Sequence, residues 1–416
     1  MKIKIIKTTY EKVASLKKPT RKKPKKPSFF FRSLIRILSA PTLWSTRFTC
    51  EKINMEKAGD EPCLILMNHC SFTDMKIAYG IFYPKPFGIV VTTDALIGKK
   101  WLMEQIGCIP TQKFVTDAAL VKDMIRAVKK KKMSVLMYPE AGYSFDGRAT
   151  VMPDTLGKLC KMMAVPVVTV ITDGAFLRDP LYNNLQIRKT KVSATVKCIL
   201  SSDEVEEKSA DEINRLIFDE FSFDNFAEQV KRGTEITEPF RADCLHRILY
   251  KCPFCKAEGE MVGEGTHITC KKCGKTYFMN TLGRMNCENG ETQFSHIPDW
   301  YDWQRQCVRE EIEKGEYSLD VPVDIYLIRT SKALYSVGAG RLIHTADGFT
   351  LKGDDGAINY FQPSKSLYTL NADFNWYEIG DVIGIGDKDM LYYCFPKGNI
   401  PVAKTRLATE EIYKNL

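Results

Sequence analysis

Histidine is scarce in this chain of 416 residues, five in all, and long apolar runs are missing. The longest stretch without a formal charge, Pro62 to Thr73, is 12 residues. That is short of the roughly 18 to 20 needed to cross a bilayer, so no spanning helix is expected. The run Phe29 to Ala40 fails as a signal h-region because Arg32 and Arg36 interrupt it. Internal repeats are also lacking. Fourteen cysteines without a cleavable signal pattern suit a reducing compartment where thiols are single or metal-bound, and the protein is expected to face the cytosol. With 44% hydrophobic, 11% aromatic and 27% charged residues, disorder throughout, collagen and coiled coil are excluded, and the apolar mass suffices for two or three cores.

Acidic residues are nearly absent from the first 32 positions. Twelve basic side chains face only Glu11 there, so +11 of charge sits in that arm and about −2 in the remaining 384 residues, against a total of +9. The segment Arg21-Lys-Lys-Pro-Lys-Lys-Pro27 reads as a solvated, extended basic arm. Phe30, Phe31, Leu34, Ile35, Ile37 and Leu38 then recur at helical spacing until Pro41 stops the run. A polybasic arm feeding a short amphipathic helix fits a monotopic contact with an anionic membrane surface; a tail plus a helix packed on the next domain is the plainer alternative. Residues 1–50 form this unit.

From 51 to 240 short apolar runs alternate with amphipathic stretches. Cys63–Met67, Phe87–Thr92, Ser134–Tyr138 and Val165–Ile171 are expected as buried strands, Asp117–Lys131, Thr155–Ala164 and Asp211–Phe221 as helices. The pattern implies an α/β domain with a mixed, helix-covered sheet, whose ligands bind beyond the carboxyl ends of strands. A cysteine-rich piece (241–285), a helical linker (286–320, helix from Trp300 to Lys314) and a β-rich accessory domain (321–416) follow. In the last, strands are expected at Val323–Ile328, Arg341–Thr345, Ala357–Phe361, Ser366–Leu370, Val382–Ile385 and Met390–Phe395, with a helix from about Ala408. It loosely resembles a pleckstrin-homology or GRAM-like module, a fold-level analogy.

His69 is the only histidine before His246, so it is the sole imidazole this α/β domain offers a general base. Asp74 lies five residues on, about 140° round a straight helix. The two can meet only if His69 sits on the loop or N-cap and Asp74 in the first helical turn, where the carboxylate can accept the Nδ1 proton. The alternative is a hydrogen-bonded pair capping a helix.

Asn68-His69-Cys-Ser-Phe-Thr-Asp74 resembles the first motif of the glycerolipid acyltransferases, the 1-acylglycerol-3-phosphate acyltransferase family. Gly107-Cys-Ile-Pro-Thr-Gln-Lys113 is similar to the second, with Lys113 where the family commonly has Arg. Tyr138-Pro-Glu-Ala-Gly-Tyr-Ser144 resembles the third, and Val165-Pro-Val-Val-Thr-Val170 the fourth. The resemblance implies acyl transfer from acyl-CoA or acyl carrier protein to a lysophospholipid, 1-acylglycerol 3-phosphate first, giving phosphatidate. It implies His69 as base, Asp74 as its orienter, and Lys113, Glu140, Gly142 and Tyr143 as acceptor-site residues. Where the family's third motif has an arginine, a phosphate clamp, this chain has Tyr143; Arg148 is the candidate replacement, and Lys113 lacks Arg's two-pronged geometry.

Cys252-Pro-Phe-Cys255 and Cys270-Lys-Lys-Cys273 form two knuckles fourteen residues apart, a strong zinc-ribbon signal. Four thiolates leave no open position, so a structural Zn²⁺ is expected, with iron in a rubredoxin-like setting as the other metal. His267 reads as a surface hairpin residue. Glu258, Glu260 and Glu264 break up any basic face on the ribbon, so nucleic acid is not the expected partner. The functional readings are thus a peripheral acyltransferase at the cytoplasmic membrane face, a catalytically silent lipid-binding adaptor, or a zinc-ribbon nucleic-acid-binding protein.

Overall fold

The computed structural model describes residues 3–112, 117–288 and 290–416. Three sheets follow one another along the chain. The first has seven strands in the order Thr49–Ile53, Ser193–Leu200, Val167–Asp173, Leu64–Met67, Ser134–Met137, Phe87–Thr92, Cys108–Thr111. All pairings are parallel except Val167–Asp173 with Ser193–Leu200, so the sheet is mixed. Leu64–Met67 is buried at all four positions, as a central strand covered on both faces must be. One face packs Ile77, Ala78 and Tyr79 of the helix Asp74–Phe82. The other packs Met124, Ala127 and Val128 of Ala118–Lys129, Leu156 and Cys160 of Leu156–Met163, and Ile213 and Ile217 of Ala210–Glu220.

The amphipathic helix spans Phe29–Ser45 and runs through Pro41 instead of stopping there. A proline inside a helix costs roughly 3 kcal/mol. Packing offsets this: Leu43 is buried and lies over Gly80, where an added Cβ would come within 2.7 Å of Leu43 Cδ1. The basic arm is extended but is not simply solvated. The Arg21 guanidinium bonds Asp123 at 2.7 Å, Asp117 at 2.8 Å and the Pro110 carbonyl at 3.0 Å, and Lys22 pairs with Glu104 at 2.9 Å. Earlier still, Ile5–Lys7 adds a parallel strand beside Leu334–Ser336, and Val13 is buried in the core of the C-terminal half. Residues 1–50 are therefore not one unit: free backbone donors and acceptors on Leu334–Ser336 recruit the first residues, while acidic groups of the α/β domain draw in the arginine.

The second sheet is the small antiparallel ribbon Met261–Glu264, His267–Cys270, Thr276–Met279, Met285–Cys287. The helix Ile297–Glu313 follows, its Trp300 fully buried against Tyr277 of the ribbon. The third sheet is an antiparallel succession of four strands (Leu319–Ile328, Leu334–Thr345, Gly348–Gly353, Asn359–Pro363) and three (Asn371–Trp376, Gly380–Gly386, Leu391–Pro396), joined where Leu391–Pro396 pairs with Leu319–Ile328. The closing helix is longer than expected, Val402–Lys414. The strand expected at Ser366–Leu370 is instead the end of a short 3-10 turn and a loop, and the pairing strand begins at Asn371. Leu367, Thr369 and Leu370 are buried by tertiary packing, which gave that segment its strand-like sequence.

Candidate functional site

His69 lies on the loop directly after the central strand Leu64–Met67, and Asp74 opens the helix that follows. Asp74 Oδ2 accepts from His69 Nδ1 at 2.8 Å and from the Cys70 and Ser71 N–H groups at 3.0 and 3.2 Å. With Nδ1 committed to the carboxylate, Nε2 is the ring nitrogen able to accept a proton. The loop backbone is pinned on both sides. The His69 N–H donates to Glu140 Oε2 at 2.8 Å and its carbonyl accepts from the Ser144 N–H at 3.0 Å. Asn68, fully buried, bonds Thr172 on the neighbouring strand through both ends of its amide.

The Glu140 side chain points into the protein and does not line the cavity. It is fully buried; one oxygen joins the third motif to the His69 loop, and the other takes the Thr150 N–H at 2.8 Å. Burial pushes its carboxyl up to about 8, against the pull of those N–H bonds and of Arg406. Arg148 does not replace the missing arginine either. Its guanidinium bonds Asp146 and, bidentately at 2.7 Å, Asp302 on the helix Ile297–Glu313, which takes it away from His69. Gly142 has open space where a side chain would be; the left-handed residue of this turn is Ala141, with φ 54°. Lys113 lies outside the described residues.

Tyr143 is at the site. The His69 ring is sandwiched between Tyr143, centroids 3.9 Å apart, and Tyr138, 4.0 Å apart, and Phe72 stacks on the far side of Tyr143 at 5.5 Å. Burial first, then the charges of Asp74 and Asp373, hold the Tyr143 phenol well above its ordinary range, so it is neutral. Behind the loop, Ser71 Oγ donates to Asp179 Oδ1 at 2.5 Å, and burial pushes Asp179 up to about 6 despite its partner Arg178.

His69 and Asp74 open into a cavity of ≈ 2120 Å³. Ligand pockets usually run to roughly 300–1,000 Å³; this one has room for a long chain besides a head group. Phe31, Leu34, Ile35 and Leu38 of the N-terminal helix form part of its wall, while Phe30, Ile37 and Trp44 of the same helix, and Trp101 beside it, stand out into solvent. The opposite wall comes from the C-terminal sheet: Asp373, Phe374, Trp376, Tyr377 and Glu378. That wall was not foreseen, because nothing in the sequence near 373 carries a motif. It is fastened to the third motif by Phe374 on Phe145 at 4.4 Å and by Arg406, which donates to the Tyr143 carbonyl at 3.2 Å.

The four cysteine sulfurs at 252, 255, 270 and 273 all lie within 4.8 Å of one another, with Cys252–Cys273 at 3.8 Å and Cys255–Cys270 at 3.7 Å. Tetrahedral ligation with metal–sulfur bonds of about 2.3 Å puts sulfurs about 3.8 Å apart, so the donor set fits a metal ion. His267 faces Glu288 at 2.9 Å from an exposed hairpin. Among the described residues no helix is long and apolar enough to cross a membrane.

Residues 47–173 match the family model described as Acyltransferase. The crystal structure of the 1-acyl-sn-glycerophosphate (LPA) acyltransferase PlsC from Thermotoga maritima is similar at 14% identity over 48% of this chain and 79% of that one, with a TM-score of 0.39. No curated protein matches the chain. The matched span contains the first three motifs and all of the fourth, His69 and Asp74 among them, so that residues 47–173 are similar to an acyltransferase domain.

Proposed function

We propose that this protein is a peripheral enzyme of the cytoplasmic membrane face that moves a fatty acyl group from acyl-CoA or acyl carrier protein to the hydroxyl of a lysophospholipid. The observation that carries the reading is the His69–Asp74 pair, held at 2.8 Å on the wall of a cavity large enough for an acyl chain. His69 Nε2 takes the proton of the acceptor hydroxyl as its oxygen attacks the thioester carbonyl. Asp74 stabilises the imidazolium. The tetrahedral adduct collapses with loss of the C–S bond, and the imidazolium returns the proton to the leaving thiolate, so no acyl-enzyme forms.

The apolar side chains left in solvent on the N-terminal helix support membrane contact, since burying each in lipid is worth roughly 1.5–3 kcal/mol. The helix lines the cavity with one face and offers the other to the membrane, a short path for a lysolipid. The Cys252, Cys255, Cys270 and Cys273 site is assigned to a structural Zn²⁺. The family's usual acceptor, 1-acylglycerol 3-phosphate, is the first to try.

The test is release of free thiol from acyl-CoA with a panel of lysophospholipids. Wild type releases thiol and forms diacyl product, and His69→Ala does neither while keeping its fold and metal. Equal turnover by the variant dismisses His69 as base, and no turnover by either form leaves a lipid-binding adaptor. For the membrane contact, exchanging Phe30, Ile37 and Trp44 for Ser should weaken co-flotation with anionic liposomes by about tenfold or more. Deleting the whole arm is a poorer test because it also strips Ile5–Lys7 from the C-terminal sheet.

A further inference from the structure

A tetrahedral adduct gathers negative charge on the former carbonyl oxygen, and a site that forms one has to aim a hydrogen-bond donor there. Most amides of the His69 loop are already committed. The His69 N–H goes to Glu140, the Cys70 and Ser71 N–H groups to Asp74, the Thr73 N–H to Ser71 Oγ, and the Ser144 N–H to the His69 carbonyl. These bonds fix the His69–Asp74 pair and are not free for a substrate.

The Tyr143 hydroxyl is available. The side chain lines the cavity beside His69, and among the described residues none exchanges a hydrogen bond with its phenol oxygen. Its ring is clamped. His69 lies on one face, centroids 3.9 Å apart and planes inclined by 26°, and Phe72 stacks on the other at 5.5 Å. The backbone behind the ring is held as well: Arg406 donates to the Tyr143 carbonyl at 3.2 Å, lies over the Phe145 ring at 4.4 Å, and is itself tied to Glu410 at 3.2 Å. A donor fixed in this way needs no reorganisation as charge develops, which is what makes such a bond effective. Burial keeps the phenol protonated, so it can donate. The reach fits too. A general base stands about 2.6–3.2 Å from the oxygen it deprotonates and an oxyanion donor about 2.7–3.1 Å from the developing charge, so the two are separated by roughly 5–7 Å across the reacting carbon. A phenol oxygen lies about 2.8 Å from its own ring centre, and stacking at 3.9 Å therefore keeps it within roughly 7 Å of the imidazole centre.

We propose that the Tyr143 hydroxyl is the oxyanion donor of the acyl transfer: its O–H bonds the thioester carbonyl oxygen, and the bond tightens as the tetrahedral adduct forms. The proposal rests on the acyl-transfer reading above and adds a catalytic residue to it. No proton leaves the phenol. The acceptor's proton passes to His69 Nε2 and on to the departing thiolate, and the C–S bond breaks as the carbonyl is restored. The first motif then supplies the base and the third the electrostatic stabilisation, the two stacked ring on ring, with Arg406 of the closing helix holding the donor's backbone.

The experiment measures thiol release from acyl-CoA with a lysophospholipid acceptor for wild type, Tyr143→Phe and Tyr143→Leu, with a melt and a metal determination on each preparation. Tyr143→Phe keeps the stacked ring and loses only the hydroxyl. It is expected to lower kcat by about 10²- to 10³-fold, with KM for either substrate within about threefold of wild type and the melt unchanged. Tyr143→Leu, which removes ring and hydroxyl together, should fall at least as far. A Tyr143→Phe enzyme with kcat within about tenfold of wild type gives the ring a packing role only; it overturns the proposal and leaves acyl transfer standing. So does a rise in KM for the lysolipid with kcat unchanged, which places the hydroxyl on the head group and not on the reacting carbonyl. If wild type releases no more thiol than His69→Ala with any lysophospholipid, acyl transfer itself falls, and the role of Tyr143 falls with it.

Discussion

The two clusters of reactive side chains in this molecule are built in opposite ways. The cysteines at 252, 255, 270 and 273 come from two knuckles of one short ribbon, and their sulfurs meet because local turns bring them together. The second knuckle needs its left-handed Gly274; the first has Lys256 at the matching left-handed position. The His69 centre is assembled from separate segments: the loop after one strand, the turn after another, and a wall lent by a sheet three hundred residues later. A local cluster fastens the fold around it. A dispersed one depends on the whole fold for its geometry but contributes little to holding it together.

That contrast predicts which perturbation unfolds the chain and which stops chemistry. If these cysteines hold the proposed Zn²⁺, chelation is expected to have the largest effect, because structural zinc sites contribute on the order of 10 kcal/mol. Cys252, Cys270 and Tyr277 belong to the same buried cluster as Trp300, Phe374 and Leu407, so loss of the ribbon should spread to the C-terminal sheet. Circular dichroism and thermal melts before and after chelation measure it; a molecule that melts identically without metal breaks the comparison. Asp74→Asn is next. It should lower kcat by about 10²- to 10⁴-fold through the wrong imidazole tautomer, with the melting temperature little changed. Steady-state kinetics and a melt on the same preparation decide it, and a variant that loses stability in proportion to activity would make Asp74 a structural cap.

Phe374→Ala probes the wall between the two halves. A buried phenylalanine truncated to alanine costs about 3–5 kcal/mol, read by urea unfolding, and the loss of its contact with Phe145 should raise KM more than it lowers kcat. The smallest effect concerns pH. His246, whose Nδ1 accepts the Gly263 N–H, is lowered by burial to about 4, and His344, sealed between Tyr317 and Phe349, to about 3. Both are neutral in the folded chain at neutral pH, whereas an unfolded histidine titrates near about 6.5. Below that value the unfolded chain binds protons the folded one refuses, so stability falls as pH drops toward 4 and is flat above 7 as far as these two groups go. The loss at pH 5 should be about 2 kcal/mol for each. Melts between pH 5 and 8 measure it, and His344→Gln should flatten the curve.

Much of the candidate site was legible because its chemistry is packed into short motifs. The five-residue spacing of His69 and Asp74 has one workable geometry, a loop followed by a first helical turn, and the chain adopts it. The knuckle spacing is equally restrictive. The direction of the Glu140 side chain was not legible, because a motif gives residue order and not where a side chain points, and the two backbone N–H groups that claim it come from residues 69 and 150. Arg148 was misread for the same reason, its partner Asp302 lying 154 positions away. The strand placed at Ser366–Leu370 followed apolar periodicity, which burial against the closing helix produces as readily as pairing does.

The backbone of the far wall was beyond reach from sequence. Asn375, Tyr377 and Glu378 all have positive φ without being glycine, next to a register shift between Asp373 and Trp376. Such conformations cost roughly 1–2 kcal/mol each for ordinary residues and persist only where packing over-determines them. Here Trp376 lies on Tyr393 and the Asn375 N–H bonds Asp381.

By itself the sequence determined the alternation of the first domain, the cysteine site and the pairing of one imidazole with one carboxylate, since each follows from periodicity or from contacts a few residues apart. Only the tertiary structure decided that the N-terminal arm is tied to both halves, that two tyrosines enclose His69, and that the C-terminal sheet completes the cavity. Those facts are set by ion pairs, ring stacking and packing between residues tens to hundreds of positions apart, which no local pattern encodes.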